Sequence, residues 1–174
     1  MMDTPKEQPI DTQSTHVIND APAAVLGVLI GDDRYLIPMT EVSEVIPIPK
    51  LALVPLTQPW FVGLANVRGN LYGITDLAVY LGGNSVPFNL KSRILLASLN
   101  NKIFGGFIVN NMLGIRNLSD FNPAKAPKKK LSTGITALHE DAEGRVWQQL
   151  SLLKLLRDEK FLHLISFIQE ILLT

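Results

Sequence analysis

Turn-forming clusters recur along this chain at short intervals, and the runs they leave between them have room for short strands and little else. Gly31-Asp32-Asp33, Arg68-Gly69-Asn70, Asn100-Asn101-Lys102, Asn110-Asn111 and Glu140-Asp141-Ala142-Glu143-Gly144 all carry residues that tolerate positive φ or pre-form turns. Apolar runs of strand length flank them. Ala24 to Ile30 and Arg34 to Pro38 read as one hairpin, Val62 to Val67 and Leu71 to Thr75 as another. After a polar connection at residues 83–91, Arg93 to Leu99, Ile103 to Val109 and Met112 to Leu118 continue the pattern, followed by strands at 135–139 and 145–150.

Two sets of about five short strands predict two small barrels and a mainly β fold. Strands do not alternate with long helices, which excludes a dinucleotide-type sheet. The short helical pieces have clear signals. Thr40 is placed to cap a single turn over Glu41 to Glu44. Asp76 is the expected N-cap of a helix from Leu77 to Leu81 that Gly82-Gly83 ends. The chain finishes in helix, Leu152 to Asp158 and Phe161 to Leu173. There Phe161, Leu164, Ile165, Ile168, Ile171 and Leu172 recur at helical spacing. Burying all six is worth on the order of 10 kcal/mol gross. The stripe either covers the barrels or fills a partner groove.

Apolar residues make up 47% of the 174 positions and charged residues 18%, enough to build a core. Formal net charge is zero, which argues against the basic excess of a nucleic-acid binder. A small β-barrel nucleic-acid-binding module is the alternative reading, and the lack of an aromatic stacking set opposes it. Without cysteine there can be no disulfide or thiolate metal site. Residues 1–22 are polar, with Pro5, Pro9 and Pro22, and read as a flexible tail with no signal-peptide pattern. Lys160, His163, Ser166, Gln169 and Glu170 interrupt the C-terminal apolar stretch, so no direct membrane insertion is expected and the protein reads as cytoplasmic.

No chemistry assembles in the sequence. His16, His139 and His163 lack metal-ligand spacing, and no nucleophile elbow, phosphate loop or dinucleotide fingerprint is present. Gly105-Gly106 suggests close backbone approach. The acids Asp32, Asp33, Glu140, Asp141 and Glu143 fall in turns, where solvation is expected. Helix capping accounts for Asp76. The expectation is therefore a non-enzyme with no catalytic residue, metal or cofactor. Lys125, Lys128, Lys129 and Lys130 form a solvated loop or a docking loop for an acidic partner.

Two segments carry a family likeness. Ile30 to Ile46 contains the hairpin aromatic in Tyr35-Leu36-Ile37-Pro38, followed by Val42-Ser43-Glu44-Val45. Gly63-Leu64-Ala65-Asn66-Val67-Arg68-Gly69 leads to Gly73, Asp76 and Leu77. This pattern, over about residues 24–157, resembles CheW-like domains, with Gly73 where the family carries proline. The resemblance implies two intertwined five-stranded SH3-like barrels with short helices and a C-terminal helix. Residues 23–159 would form the domain and 160–174 a helical extension. It also implies an adaptor joining the cytoplasmic tip of a methyl-accepting chemoreceptor to the regulatory domain of a CheA-like histidine kinase, recruited to membrane-associated receptor arrays.

Ile135 to Leu138 and Trp147 to Leu150 make the chain most similar to coupling proteins of type IV pilus (twitching motility) chemosensory systems. By family position, Val42, Glu44, Asn66, Arg68 and Gly69 would meet the receptor. Arg68 would offer a guanidinium fork that lysine could not replace, while Asn66 and Gly69 shape the turn. Val42 supplies apolar area or belongs to the core. Phe121 would be an apolar anchor for the kinase, with Lys125 and Lys128 beside it. Val109-Asn110-Asn111-Met112 departs from the family's Val-Asp-x-Val, which puts any contact through that acid in doubt.

Overall fold

A computed structural model describes residues 23–55 and 57–173; the expected tail lies outside them. In chain order the strands are β1 (Ala24–Ile30), β2 (Asp33–Pro38), β3 (Glu44–Ile46), β4 (Phe61–Val67), β5 (Asn70–Asp76), β6 (Arg93–Leu99), β7 (Ile103–Val109), β8 (Asn111–Asn117), β9 (Asn122–Pro123), β10 (Ile135–Glu140) and β11 (Val146–Leu150). The helices are α1 (Leu77–Tyr80), α2 (Leu152–Leu156) and α3 (Glu159–Leu172). Among the described residues the non-glycine residues with positive φ are Arg68, Asn100 and Asn101, all in expected turns, whereas Asn111 instead begins β8.

The fold is mainly β, as expected, but the two runs of strands do not each make a sheet. One sheet has the order β8-β1-β2-β11-β10-β9, the other β3-β6-β7-β5-β4. The first hairpin thus joins the late strands, and β6 and β7 join the early ones. Each exchange is sealed by a parallel pairing, β2 with β11 and β5 with β7. Periodicity sets which face of a strand is buried but carries no information about its neighbour, so the exchange is invisible to local reading.

Three cores result. Ala65, Tyr72, Ile74, Ile94, Leu96 and Ile108 fill the five-stranded lobe. Val25, Leu36, Phe121 and Trp147 fill the six-stranded one. A larger cluster lies between lobes and helices, drawing Val28, Tyr35 and Ile37 from one sheet and Phe107 and Val109 from the other, with Trp60, Leu156 and Phe161. Helices press directly on β7 there, where a Cβ at Gly105 would lie 2.6 Å from Leu156; in the core of the five-stranded lobe a Cβ at Gly106 would lie 2.5 Å from Ile74 of β5. The glycine pair is therefore a close-approach site.

α3 settles the two readings of the C-terminal stripe along its length. Phe161, Leu164 and Ile168 are buried, whereas Ile171 and Leu172 are exposed. At about 2 kcal/mol for each fully buried side chain, the three inward residues hold the helix by roughly 6 kcal/mol gross.

Local capping was half foreseen. Asp76 accepts from Ala78 N at 3.1 Å and starts α1. The turn near Thr40 is instead a single 3-10 turn over Met39–Glu41 with no side-chain cap, because Pro38 precedes it and Val42 is already extended. Glu44 belongs to β3. Glu41 caps a different helix, accepting from Ser151 Oγ at 2.6 Å and Leu153 N at 3.0 Å at the start of α2. No helix among the described residues is long and apolar enough to cross a membrane.

Candidate protein interface

The hairpin between β4 and β5 turns on two residues with positive φ, Arg68 at 51° and Gly69 at 83°, the combination a tight two-residue hairpin needs. Asn66 Oδ1 accepts from Gly69 N at 3.1 Å and holds the turn. Both residues therefore shape the tip. Arg68 points outward, its side chain 77% exposed, and donates from Nη1 and Nη2 to the two carboxylate oxygens of Glu44, each at 2.8 Å.

That fork spans a seam. β3 and β4 are opposite edges of the five-stranded sheet, and the chain beyond β3 bonds to β4 through the Ala52–Leu64 bridge, at 2.9 and 2.8 Å. The ion pair crosses the same closure. An exposed pair contributes at most about 1 kcal/mol, so its geometry matters more than its energy: it presents an oriented cation on a rigid tip. Val42 is half-buried and packs against the main core. The apolar surface on these strands comes instead from Val45, 40% exposed, and Leu71, 42% exposed. Neither was singled out from sequence. Strand alternation from buried Tyr72 would have marked Leu71 as outward.

The second group of expected contacts divides. Lys125 and Lys128 are exposed, with Lys129 and Lys130, between β9 and β10. Phe121 does not stand beside them as a surface anchor. It is buried, edge-on to Trp147 with ring centroids 5.5 Å apart and near His139 at 6.3 Å. A 3-10 turn over Leu118–Asp120, with Asn117 Oδ1 accepting from Ser119 N at 3.0 Å, directs the chain inward at this point. The ring plugs the six-stranded lobe. Asn110, at the family's acidic position, has a structural use: its Oδ1 accepts from Gly31 N at 2.6 Å, tying β7–β8 to the β1–β2 turn.

The turn acids also differ from expectation. Asp141 is not merely solvated. Its Oδ1 accepts from Glu143 N and Arg145 N, and its Oδ2 from Arg145 Nε and Trp147 Nε1, all within 3.0 Å. Desolvation works against the charged form, but the donors from Trp147, Arg145 and Glu143 outweigh it and hold the carboxyl well below its ordinary range. Burial first, and then the Asp33 charge, push Tyr35 up to about 12. Burial and the 2.5 Å hydrogen bond to Asp158 raise Tyr80. These shifts lead away from neutrality, which suits structural roles rather than proton transfer at pH 7.

His139 Nε2 lies 2.7 Å from Gln149 Oε1 and His163 is exposed on α3, while His16 lies outside the described residues. Among the described residues no three His, Asp or Glu side chains group to hold a metal.

Comparison with known proteins gives three likenesses. Residues 24–160 match the CheW-like domain. Over 91 residues the chain is 34% identical to the protein PilI of Pseudomonas aeruginosa, covering 52% of this chain and 51% of that one. Over 90 residues it is 30% identical to the chemotaxis protein CheW of Helicobacter pylori, covering 52% and 54%. The chain thus matches about half the length of these curated relatives. In three dimensions it resembles the scaffolding protein TtCheW of Thermoanaerobacter tengcongensis, with a TM-score of 0.65, covering 75% of this chain and 90% of that one. At 16% identity, that likeness speaks for the fold.

Proposed function

This chain belongs to the CheW-like domain family, and from that premise we propose that it is a non-catalytic adaptor coupling a methyl-accepting chemoreceptor to a CheA-like histidine kinase. The likeness to PilI favours a chemosensory system that controls type IV pilus twitching. Residues 23–159 are the adaptor unit and 160–174 its helical extension. It works in the cytoplasm, on receptor arrays.

The observation that carries the reading is the convergence at the β4–β5 tip. Asn66, Gly69 and Arg68 build a stiff hairpin, and Glu44 arrives from another strand to orient the guanidinium. With Val45 and Leu71 exposed on the same strands, the face combines apolar area with a polar rim, the composition of a protein contact. The receptor tip docks here by sharing the Arg68 fork. The kinase regulatory domain docks at the other lobe, through Lys125 and Lys128, where Phe121 supports the loop from within.

Calorimetric titration with a receptor-tip fragment and with the kinase regulatory domain tests both halves. Arg68→Glu reverses the charge at the tip and is expected to weaken receptor binding at least about tenfold, the 1.4 kcal/mol of one charged hydrogen bond lost, while kinase binding persists. Unchanged receptor affinity removes Arg68 from the contact. Failure of the unmodified chain to bind either fragment ends the adaptor reading.

A further inference from the structure

α3 crosses β5 and β7 at their glycines. A Cβ at Gly105 would lie 3.2 Å from Phe161, and one at Gly73 would lie 3.4 Å from Ile165. Because β5 and β7 run parallel, the turns that precede them, Arg68-Gly69 and Asn100-Asn101-Lys102, stand at the same end of the sheet. The last two turns of α3 run out toward that end. Between helix and sheet they leave a trough of about 270 Å³, floored by Leu71 and Ile103, walled by Ile165, Ile168 and Leu172, and rimmed by Lys102. Gly69 and Asn70 line it too, so it opens directly beside the Arg68 tip. Among the described residues that line it, Lys102 is the charged one and none is acidic.

The backbone beneath the trough narrows the kind of occupant. β5 is hydrogen-bonded to β4 and β7, and β7 to β5 and β6, so the floor has no ladder groups to offer an added strand. Side chains alone face the trough. A segment recognised through one stripe of side chains, its own backbone bonds satisfied internally, is a helix. An apolar cavity of about 150 Å³ takes a benzene-sized group, so this trough takes about two large apolar side chains. Its wall from Ile165 to Leu172 spans two helical turns, about 10 Å, which matches residues one or two turns apart on the occupant. Lys102, with the Arg68 guanidinium at the adjoining tip, favours acids beside that stripe. We propose that the trough seats an amphipathic helix of the receptor, two apolar residues entering it and an acidic residue meeting Lys102. The inference rests on the adaptor reading and extends its receptor contact from Arg68 onto α3. The family match ends at residue 160, so the helical wall lies outside the matched domain and gives the contact a selectivity that the domain alone does not carry.

Titrating a receptor-tip fragment into the full chain, followed by calorimetry and by the isoleucine methyl signals, tests the trough. The Ile103 and Ile165 methyls are expected to shift on addition, while that of Ile30 in β1 stays in place. Gln169→Glu with Leu172→Asp, both at exposed positions of α3, is expected to weaken receptor binding at least about tenfold. Binding of the kinase regulatory domain persists in this variant and reports an intact fold. Ser166→Asp, exposed on α3 outside the trough, leaves receptor affinity as it was. Receptor binding that is lost in Arg68→Glu yet intact in the α3 double variant, with the Ile103 and Ile165 methyls unmoved, overturns the trough and leaves the adaptor reading standing. Failure of the unmodified chain to bind the receptor fragment overturns both. Sedimentation showing that the double variant loses self-association while receptor affinity is unchanged assigns the trough to a second copy and likewise overturns the proposal.

Discussion

Phe161→Ala tests whether α3 is an appendage or part of the fold. Phe161 is fully buried on the first turn of α3. Its ring stacks on Trp60 at 6.3 Å and lies 6.1 Å from Phe107, and a Cβ at Gly105 would sit 3.2 Å from it. Glycine on one side and two rings on the other leave little that can collapse into the space, so the cost falls in the usual Phe→Ala range of about 3–5 kcal/mol. That is a large share of a stability expected to be about 5–15 kcal/mol.

The two tryptophans make the assay specific. Trp60 lies in the core between the lobes and Trp147 inside the six-stranded lobe. Urea titrations of Trp60→Phe and Trp147→Phe backgrounds then follow each region separately. Because the central core draws on both sheets, Phe161→Ala is expected to lower both midpoints together with the slope unchanged. A lowered Trp60 midpoint beside an undisturbed Trp147 midpoint would refute the reasoning and make α3 a detachable piece.

Thr75 Oγ1 is buried on β5 with no hydrogen-bond partner among the described residues, so Thr75→Val should raise thermal stability by about 1 kcal/mol, and a loss would mean that the hydroxyl is satisfied after all. Arg68→Ala should move the unfolding midpoint by less than about 1 kcal/mol, since the Glu44 pair is exposed; a larger loss in urea would make the seam pair structural. Asp141 has a folded pKa below its unfolded one, so its contribution is complete above about pH 4. It fades as pH falls toward the lower folded value. Asp141→Asn should flatten the acid limb of a stability-against-pH curve, and an unaltered acid limb would rule the carboxylate out.

Strand positions were legible because turn chemistry and alternation are local. The last five long strands fall within a residue or two of their expected bounds, and Asp76 caps where capping chemistry placed it. Pairings that need a distant partner were not legible. Glu41 read as a local helix acid because the Ser151 hydroxyl it accepts from lies 110 residues away. Phe121 read as an anchor from its place in the family pattern, while the ring that buries it belongs to Trp147 in β11. Among the proposed contact residues, Arg68, Asn66 and Gly69 stand in one contiguous motif. The orientation of Arg68 by Glu44 depends on how β3 meets β4, which no single strand announces.

The two parallel joints, β2 with β11 and β5 with β7, bear on how the molecule is made. During synthesis the first hairpin has no partner outside itself until β8 emerges and is not closed on its other side until β11, while β5 waits for β7. Such distant closures make folding slow and nearly all-or-none. Neither lobe is a transferable module, and a ribosome stalled after β5 leaves both unfinished. The same interlocking couples the lobes: a load applied at the Arg68 tip passes from the five-stranded sheet to the six-stranded one, and so to the lysine loop, through the β7–β8 connection and the shared core.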